Sequence, residues 1–355
     1  MIALAEVLRR HWPAYERKYG ARLLPSHRRA VAALLSCRTP ALGGQLYRCE
    51  CGREHYAYHS CNHRACPRCG QADATEWLHR QRRKLLPVPY YLVTFTVPAQ
   101  LRPILRSHQQ RLYPLLLREA PEALREVARQ HKDLGAQIGL LAVLQTWTRD
   151  LRYHPHVHCV VPAGGLSSDR LRWVSPKREG YFLPQAALAL RFRTRLKGAL
   201  QQQVPHLFVQ IPRGVWSRDW VADVQAVGTG EPALKYLAAY VYRTAFSAER
   251  IVADDGQCIT FTYRDRQERR TRTVTLPAER FLHRFLQHVL PRGLQRVRHL
   301  GFLSPAAKAQ WRRVLALLDW QPPPLAPPPP APVPICPDCN QPMVLLGRLP
   351  RAPPT

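Results

Sequence analysis

The chain has 355 residues, 53 Lys and Arg against 24 Asp and Glu, a formal net charge of +29 and a pI near 10.6. This length allows two domains, or one large domain with appendages. The longest apolar stretch, residues 138–144, is too short to cross a bilayer, which excludes a membrane-spanning protein.

The excess of basic residues favours a polyanionic partner, because each Lys or Arg that neutralises a phosphate releases condensed counterions. A GC-rich coding bias explains the preference for Arg over Lys, but it does not explain the scarcity of acids. We therefore expect a nucleic-acid partner, ahead of a ribosome-like or membrane-surface role.

The opening residues, MIALAEVLRRHW, carry charge where a signal peptide needs an apolar core. The expected location is therefore the cytoplasm. In that compartment the ten cysteines favour metal ligands or free thiols over disulfides.

The first third of the chain predicts helices, a cysteine-rich module and a strand. Residues 1–36 have helical periodicity, and residues 37–70 are rich in Cys and His with little apolar content. A basic helix then leads into a strand at residues 91–97, and helical periodicity returns at residues 102–132.

The remainder predicts alternating strands and helices. Strands are expected at residues 141–148 and 156–161, helices at 185–203, 231–245 and 276–290, and a hairpin formed by residues 258–265 and 270–277. Nine of the thirteen residues from 322 to 334 are Pro, which indicates a semi-rigid linker outside any core.

The stretch RCECGREHYAYHSCNHRACPRCG, residues 48–70, predicts a structural zinc site. Two thiolates two or three positions apart on a tight turn bind one tetrahedral Zn²⁺, and a second pair completes the site. The predicted ligands are Cys49, Cys51, Cys66 and Cys69. Cys61 is a fifth candidate, and His55, His59 and His63 are alternative ligands.

Such a closed site stabilises a small module and indicates binding rather than catalysis. Beside it, Arg64 and Arg68 are candidate DNA contacts, although a solvated basic rim explains them equally. Cys336 and Cys339 form only half a site. Three alternatives are open for this half-site: another chain completes it, it binds a metal ion weakly, or it has no role.

The stretch RYHPHVHCVV places His154, His156 and His158 at alternate positions of a predicted strand. Side chains at alternate positions project from the same face, so neighbouring imidazoles can chelate one divalent ion. A metallo-β-lactamase-like site would need Asp-His downstream, and an amidohydrolase would place its His pair near the chain start. A third class holds Mg²⁺ or Mn²⁺ beside a tyrosine that cuts single-stranded DNA.

That third class requires a tyrosine on a helix, and the segment KYLAAYVY supplies two. Tyr236 and Tyr240 are four residues apart and therefore lie on one helical face. Core or interface packing is the better explanation of such a pair when it is considered alone, and the His-x-His strand and the basic chain reverse that preference. Lys235 and Arg243 flank the pair and are candidate phosphate contacts, or parts of a solvated face.

Four stretches resemble the rolling-circle transposases of the insertion sequence 91 family, the two-tyrosine branch of the His-hydrophobic-His endonucleases. They are HSCNHRACPRCG, PYYLVTFTVPAQLR, LQTWTRDLRYHPHVHCVVPAGGLS and ALKYLAAYVYR. A further match runs to about residue 303, so the resemblance covers nearly the whole chain except the Pro-rich tail.

The resemblance implies an α+β fold, in which a small helical and zinc-binding module precedes a central antiparallel sheet flanked by helices. The expected divisions are a DNA-binding domain at residues 1–85, a catalytic domain at 86–320 and a Pro-rich tail with Cys-x-x-Cys at 321–355. His156 and His158 would hold Mg²⁺ or Mn²⁺, and Zn²⁺ would be structural.

The implied activity is nicking and transfer of single-stranded DNA at the ends of the mobile element and at the target. Tyr236 or Tyr240 would form a 5′-phosphotyrosine intermediate. The alternatives are a plasmid replication initiator or relaxase with the same chemistry, and a non-catalytic zinc-dependent DNA-binding regulator. The sequence leaves the DNA site, the separate roles of the two tyrosines and the oligomeric state open. His154 is a candidate third metal ligand, although the resemblance implies a polar side chain from elsewhere in the chain.

Overall fold

The computed structural model describes residues 2–178, 180–232, 234–235, 248–265, 268, 270–324 and 333–352, with residues 70–75 and 248 described by backbone alone. The chain divides into two compact units. The first comprises Met1–Glu76, Tyr242–Val289 and Ala326–Thr355, and the second comprises Trp77–Val241 and Leu290–Leu325. Residues 321–355, the expected tail, are thus divided between the two units.

Within these residues the labelled α-helices are α1 (Leu4–Tyr19), α2 (Pro25–Ser36), α3 (Gly70–Arg82), α4 (Arg102–Ser107), α5 (Gln109–Gln130), α6 (Gln185–Gln203), α7 (Pro205–Phe208), α8 (Ala278–Leu286) and α9 (Lys308–Leu317). The strands are β1 (Gly44–Arg48), β2 (Glu54–Tyr58), β3 (Pro89–Thr96), β4 (Leu140–Trp147), β5 (Tyr153–Pro162), β6 (Gly165–Leu166), β7 (Trp173–Val174), β8 (Val221–Thr229), β9 (Ile251–Asp254), β10 (Cys258–Arg264), β11 (Thr271–Pro277), β12 (Val297–Leu300) and β13 (Val344–Leu349).

Two predicted helices are each divided in the structure. The helical segment at residues 1–36 becomes α1 and α2, because Gly20 opens a 3₁₀ turn and Pro25 is the first residue of α2. Proline lacks an amide hydrogen and is well suited to the first turn of a helix, where that hydrogen would have no partner within the helix. The segment at 102–132 becomes α4 and α5, since His108 leaves the helical region at φ −123° and ψ 39°.

The second unit contains a five-stranded sheet in the order β12-β4-β5-β3-β8, and every neighbouring pair is antiparallel. The expected strands at residues 141–148 and 156–161 are β4 and β5, two of its three interior strands. Strand β5 begins three residues earlier than predicted, because its pairing with β4 continues to Tyr153 opposite Trp147. The predicted central antiparallel sheet with flanking helices is confirmed.

Helices α5 and α6 cover one face of this sheet and bury its main apolar core. Apolar side chains at every second position of the strands form that face, including those of Phe95 in β3 and of Val157 and Cys159 in β5. Phe192 of α6 is fully buried, with its ring centroid 5.1 Å from that of Phe95 and 5.3 Å from that of Trp220. The residues between these positions must therefore point to the opposite face.

The first unit contains two three-stranded sheets, in the orders β13-β1-β2 and β11-β10-β9. The predicted hairpin is confirmed as β10 and β11, and β9 adds a third strand. Helix α1 packs against α8, and His11 Nε2 lies 3.0 Å from Oδ1 of Asp254. Strand β13 comes from the C-terminal segment and pairs with β1 of the cysteine-rich module.

Across the described ranges, none of the helices combines the length and the apolar character that a bilayer crossing requires.

Candidate metal sites

The sheet face that is turned away from α5 and α6 carries the histidine pair. His158 of β5 is opposite Thr94 of β3 and Val143 of β4, and His156 is opposite Thr96 and Gln145. Both histidines are buried, and their ring centroids are 4.6 Å apart at an interplanar angle of 85°. The predicted strand geometry therefore brings these two imidazoles together on the central strand.

The tautomer of His156 is fixed by the backbone of its own strand. Its Nδ1–H donates a hydrogen bond to the carbonyl oxygen of His154 at 2.6 Å, which leaves the Nε2 lone pair as the coordinating atom. Burial lowers the pKa of His156 to about 4, and so the imidazole is neutral at neutral pH. The neutral imidazole is the form that binds metal ions.

His158 is held between two polar side chains. Its Nε2 lies 3.0 Å from Oε1 of Gln145, and its Nδ1 lies 3.0 Å from Oγ1 of Thr94. Because an amide oxygen only accepts, Nε2 donates to Gln145 and Nδ1 accepts from the Thr94 hydroxyl. These contacts, one from each neighbouring strand, fix the orientation of the ring.

Gln145 and Thr94 are site residues that sequence reasoning did not identify. The strand LLAVLQTW is buried along its whole length, and Gln145 is 6% exposed. A long amide side chain inside a buried strand that is mostly apolar needs a polar partner. This requirement was the feature of the sequence that could have identified Gln145 as a site residue.

His154, at the edge of this group, is half-buried, and its ring centroid is 5.2 Å from that of His156. Burial lowers its pKa to about 4, with smaller contributions from the charges of Arg102 and Arg152. Its carbonyl oxygen orients His156, so the main contribution of residue 154 to the pair is made through its backbone.

The predicted tyrosine helix is described only at its start. Residues 230–232 and 234–235 are helical, and Tyr236, Tyr240 and Arg243 lie outside the described residues. Lys235 is exposed, and its Nζ lies 3.2 Å from Glu231, whose Oε1 also accepts from Arg82 at 2.7 Å. The charge of Lys235 is therefore partly offset within its own helix.

The four predicted zinc ligands do not form one cluster, and this corrects the expected grouping. The structure places two of them in each of two groups, and each group has four thiols whose sulfur atoms lie within 4.8 Å of one another. The first group contains Cys37, Cys61, Cys66 and Cys69. The second group contains Cys49, Cys51, Cys336 and Cys339.

The separation has a topological cause. Cys49 and Cys51 lie in the turn between β1 and β2, and β1 pairs on its other edge with β13. That pairing brings the C-terminal cysteines to the turn, while the Cys66-Pro-Arg-Cys69 turn meets Cys61 and the end of α2. Two Cys-Pro-x-Cys turns among ten cysteines were the sequence signal for two sites.

The geometry of the first group fits a tetrahedral metal ion. Sγ of Cys37 lies 3.5 Å from those of Cys66 and Cys69, and Sγ of Cys61 lies 3.6 Å from that of Cys69. Zn–S bonds of about 2.3 Å place tetrahedral thiolates about 3.8 Å apart. A hydrogen bond from Cys61 holds the pKa of Cys66 below its usual value, which favours the thiolate that binds metal.

The alternative histidine ligands and the two candidate arginines belong to the same cysteine-rich module. His55 and His59 are exposed, and Nδ1 of His63 accepts a hydrogen bond from the amide of Ala65 at 3.1 Å. Among the described residues, neither group of four thiols includes any of these three histidines. Arg64 and Arg68 are exposed on the turns that carry the cysteines.

Comparison with known proteins identifies both halves of the chain. A family described as "Transposase zinc-binding domain" matches residues 7–97, and one described as "Putative transposase" matches residues 139–310. These ranges include the first cysteine group and the histidine pair, respectively. Cys336 and Cys339 lie outside both ranges.

Two curated relatives match over most of their length. The "Putative transposase y4qJ" of Sinorhizobium fredii is 35% identical over 326 residues, which are 86% of this chain and 81% of that protein. The "Transposase for insertion sequence element IS801" of Pseudomonas savastanoi pv. phaseolicola is 27% identical over 79% of this chain and 71% of that protein. No solved structure matches.

A transposase must process DNA, and the strongly basic composition agrees with a DNA partner. The first cysteine group lies entirely inside the matched zinc-binding domain. The predicted family is thus confirmed by a relative with more than 30% identity over most of both chains. The chain belongs to the insertion sequence 91 family of transposases, which combine a zinc-binding domain with a transposase domain.

Proposed function

We propose that this transposase nicks single-stranded DNA and transfers the cut strand through a covalent tyrosine intermediate. The observation that carries the proposal is the histidine pair on β5, buried, neutral and fixed in orientation on a rigid central strand. A regulator without catalytic activity would not need two buried imidazoles with ordered hydrogen bonds. The curated relatives favour a transposase over the replication-initiator alternative.

The donor atoms around the pair fit Mg²⁺ or Mn²⁺. His156 Nε2 and His158 Nε2 supply two nitrogens, and Oε1 of Gln145 supplies an oxygen 3.0 Å from His158 Nε2. Two ligand atoms at right angles on an ion with bonds of about 2.1 Å are about 3.0 Å apart. We therefore assign Gln145 as the third protein ligand of this ion.

When bound, the ion would polarise the scissile phosphate and offset the negative charge that develops on its oxygens. The protein side chains prepare this position. The carbonyl of His154 keeps the Nδ1 proton on His156. Coordination through Nε2 of His158 would require the other tautomer of this ring, and Oγ1 of Thr94 would then accept a hydrogen bond from Nδ1–H. His156 is therefore already in the tautomer that a metal ion requires, whereas His158 changes tautomer within contacts that are already present.

Tyr236 and Tyr240 are the proposed nucleophiles. Their spacing of four residues fits one helical face, and they follow β8 closely in the sequence. A phenol has a pKa near 10, so its oxygen must lose a proton as it bonds to phosphorus. The products are a 5′-phosphotyrosyl bond and a free 3′-hydroxyl, which takes up a proton. Because the phosphodiester bond energy is retained, a second 3′-hydroxyl can reverse the step, and two tyrosines permit two successive transfers.

The structural ion in the first cysteine group is proposed to be Zn²⁺. Cys37, Cys61, Cys66 and Cys69 would hold it and fix the turns that expose Arg64 and Arg68. These arginines, together with Lys235 and Arg243, are proposed contacts to DNA phosphates. Single-stranded ends of the element and the target strand are the proposed substrates.

A covalent-adduct assay tests the nucleophiles. The full chain is incubated with a single-stranded oligonucleotide that carries the element's end, with Mg²⁺ or Mn²⁺. We expect an adduct resistant to denaturation, which is lost in the double variant Tyr236→Phe, Tyr240→Phe and in His156→Ala. Tyr242→Phe is the matched control and should keep the adduct. An adduct that persists without both tyrosines would contradict the assignment.

A further inference from the structure

The second cysteine group joins two turns that are far apart in sequence. Cys49 and Cys51 belong to the turn between β1 and β2, and Cys336 and Cys339 belong to a turn in the C-terminal segment. Sγ of Cys49 lies 3.2 Å from that of Cys339, and Sγ of Cys51 lies 3.7 Å from that of Cys336. These separations exceed a disulfide bond of about 2.05 Å and approach those of a tetrahedral thiolate site.

Both turns have the backbone form of a metal-binding knuckle. The amide of Gly52 donates to the carbonyl of Cys49 at 2.9 Å, and the amide of Asn340 donates to that of Cys336 at 2.9 Å. Gly52 at φ 88° and Asn340 at φ 58° occupy the left-handed region that Gly and Asn tolerate best. Each turn therefore presents its two sulfur atoms towards the same point.

The surrounding structure holds the two turns in register. Strand β13 is antiparallel to β1 from Gly44 opposite Leu349 to Arg48 opposite Val344. Ile335 bridges to Pro342 across the C-terminal turn. The sheet thus returns the chain to the cysteine-rich module immediately after the C-terminal turn.

The apolar core of this subdomain is very small. Cys49, Cys336 and Met343 are its buried members, and Tyr47 packs against them. A core of this size does not stabilise three short strands, and small modules of this kind commonly depend on a bound metal. An ion between the four sulfur atoms would supply the missing cross-link.

We infer that Cys49, Cys51, Cys336 and Cys339 bind a second structural Zn²⁺, which fastens the C-terminal segment to the N-terminal cysteine-rich module. Four thiolates in a tetrahedral arrangement select zinc, with iron as the chemical alternative. Neither matched family range includes Cys336 or Cys339, so the family comparison does not assign this site. The inference does not depend on the proposed nicking activity.

The site closes a loop of almost the whole chain, because its two halves are more than 280 residues apart. An ion pair of 3.6 Å between Arg53 and Asp338 adds a second, exposed link between the turns. Exposed pairs contribute little to stability, so the metal is the main link. Removal of this ion should release β13 from β1.

Metal content of the purified full chain tests the inference. We expect two zinc ions per chain in the native protein and one in the double variant Cys336→Ser, Cys339→Ser. The matched control is Cys258→Ser, which removes a cysteine outside both groups and should retain two ions. Two ions in the double variant, one ion in the native protein, or iron in place of zinc would overturn the assignment.

A second measurement uses the native chain and is independent of how the variant folds. Cys51 and Cys339 are exposed, so a thiol-alkylating reagent should modify them readily unless a metal holds them. We expect both to resist alkylation until a chelator is added, while Cys258 reacts without chelator. Immediate alkylation of both residues, or disulfide-linked peptides in the unreduced digest, would refute the site.

Discussion

Gln145 and His158 approach each other across β4 and β5, with Oε1 and Nε2 3.0 Å apart on the sheet face that carries the histidine pair. A buried amide in this position has two consequences. It fixes the His158 ring, and it places an oxygen at the separation expected for two neighbouring ligands of one small divalent ion.

Replacement of Gln145 by Ala should weaken Mn²⁺ binding by tenfold or more, an order of magnitude typical for groups that ligate or orient a metal site. Gln145→Glu should keep or raise the affinity, because it retains the oxygen and adds a negative charge. Titration followed by the electron paramagnetic resonance of free Mn²⁺ measures both. Equal affinities for Gln145→Ala and the native chain would contradict its assignment as a ligand.

Acid should destabilise the second unit in a defined pH window. The pKa of His156 falls from an ordinary value of 6.5 to about 4 because burial disfavours the charged form. The folded state therefore binds fewer protons than the unfolded state between these values, so this stability is present above pH 6.5 and lost as pH falls towards 4. The loss is at most about 3 kcal/mol for this group.

Thermal melting in chelator from pH 7.5 to 4 measures this effect. His154 and His299 have pKa values lowered to about 4 by burial and should add to it. His156→Gln should flatten the pH dependence between pH 6.5 and 4. A native melting temperature that does not change over that range would contradict neutral buried histidines.

The packing of α6 on the sheet is expected to be the most sensitive part of the second unit. Phe192 is fully buried, and Phe192→Ala should lower the free energy of unfolding by about 3–5 kcal/mol through lost burial and a residual cavity. Leu190→Ala on the same helix is the control, since Leu190 is 53% exposed. Urea denaturation measures both, and similar losses would argue against the described core.

The first cysteine group should be required for the N-terminal module. Cys37→Ser should reduce zinc content by one ion per chain and increase proteolysis within residues 25–69, because the serine hydroxyl is a poor replacement for a thiolate. The ion in the second group should remain. Loss of both ions together would instead indicate that the two groups act as one site.

Arg64 and Arg68 should contribute to DNA affinity through phosphate contacts. The double variant Arg64→Gln, Arg68→Gln should reduce the salt dependence of single-stranded DNA binding by about 0.7 in log–log slope for each lost contact. Arg28→Gln is a suitable control, because Arg28 is already paired with Glu16 at 2.7 Å. An unchanged slope in the double variant would assign both arginines to a solvated rim.

The sequence by itself determined the local elements and the short-range ligand pairs. Alternation in β5 places His156 and His158 on one face whatever the rest of the chain does, because side chains repeat every two residues. A Cys-Pro-x-Cys turn likewise brings two sulfur atoms together by local geometry. The periodicity of the central strands and of the hairpin was enough to predict them. The observed ends of these strands lie up to three residues from the predicted ends.

Only the tertiary structure decided which local pairs combine. Cys49 and Cys51 join Cys336 and Cys339 because β13 adds to the edge of β1, and Gln145 meets His158 because β4 and β5 pair in one register. Such pairings depend on the packing of segments that are distant along the chain, and spacing within one segment contains no information about them. For this reason the sequence identified the candidate ligand types, whereas the fold determines which of them lie together.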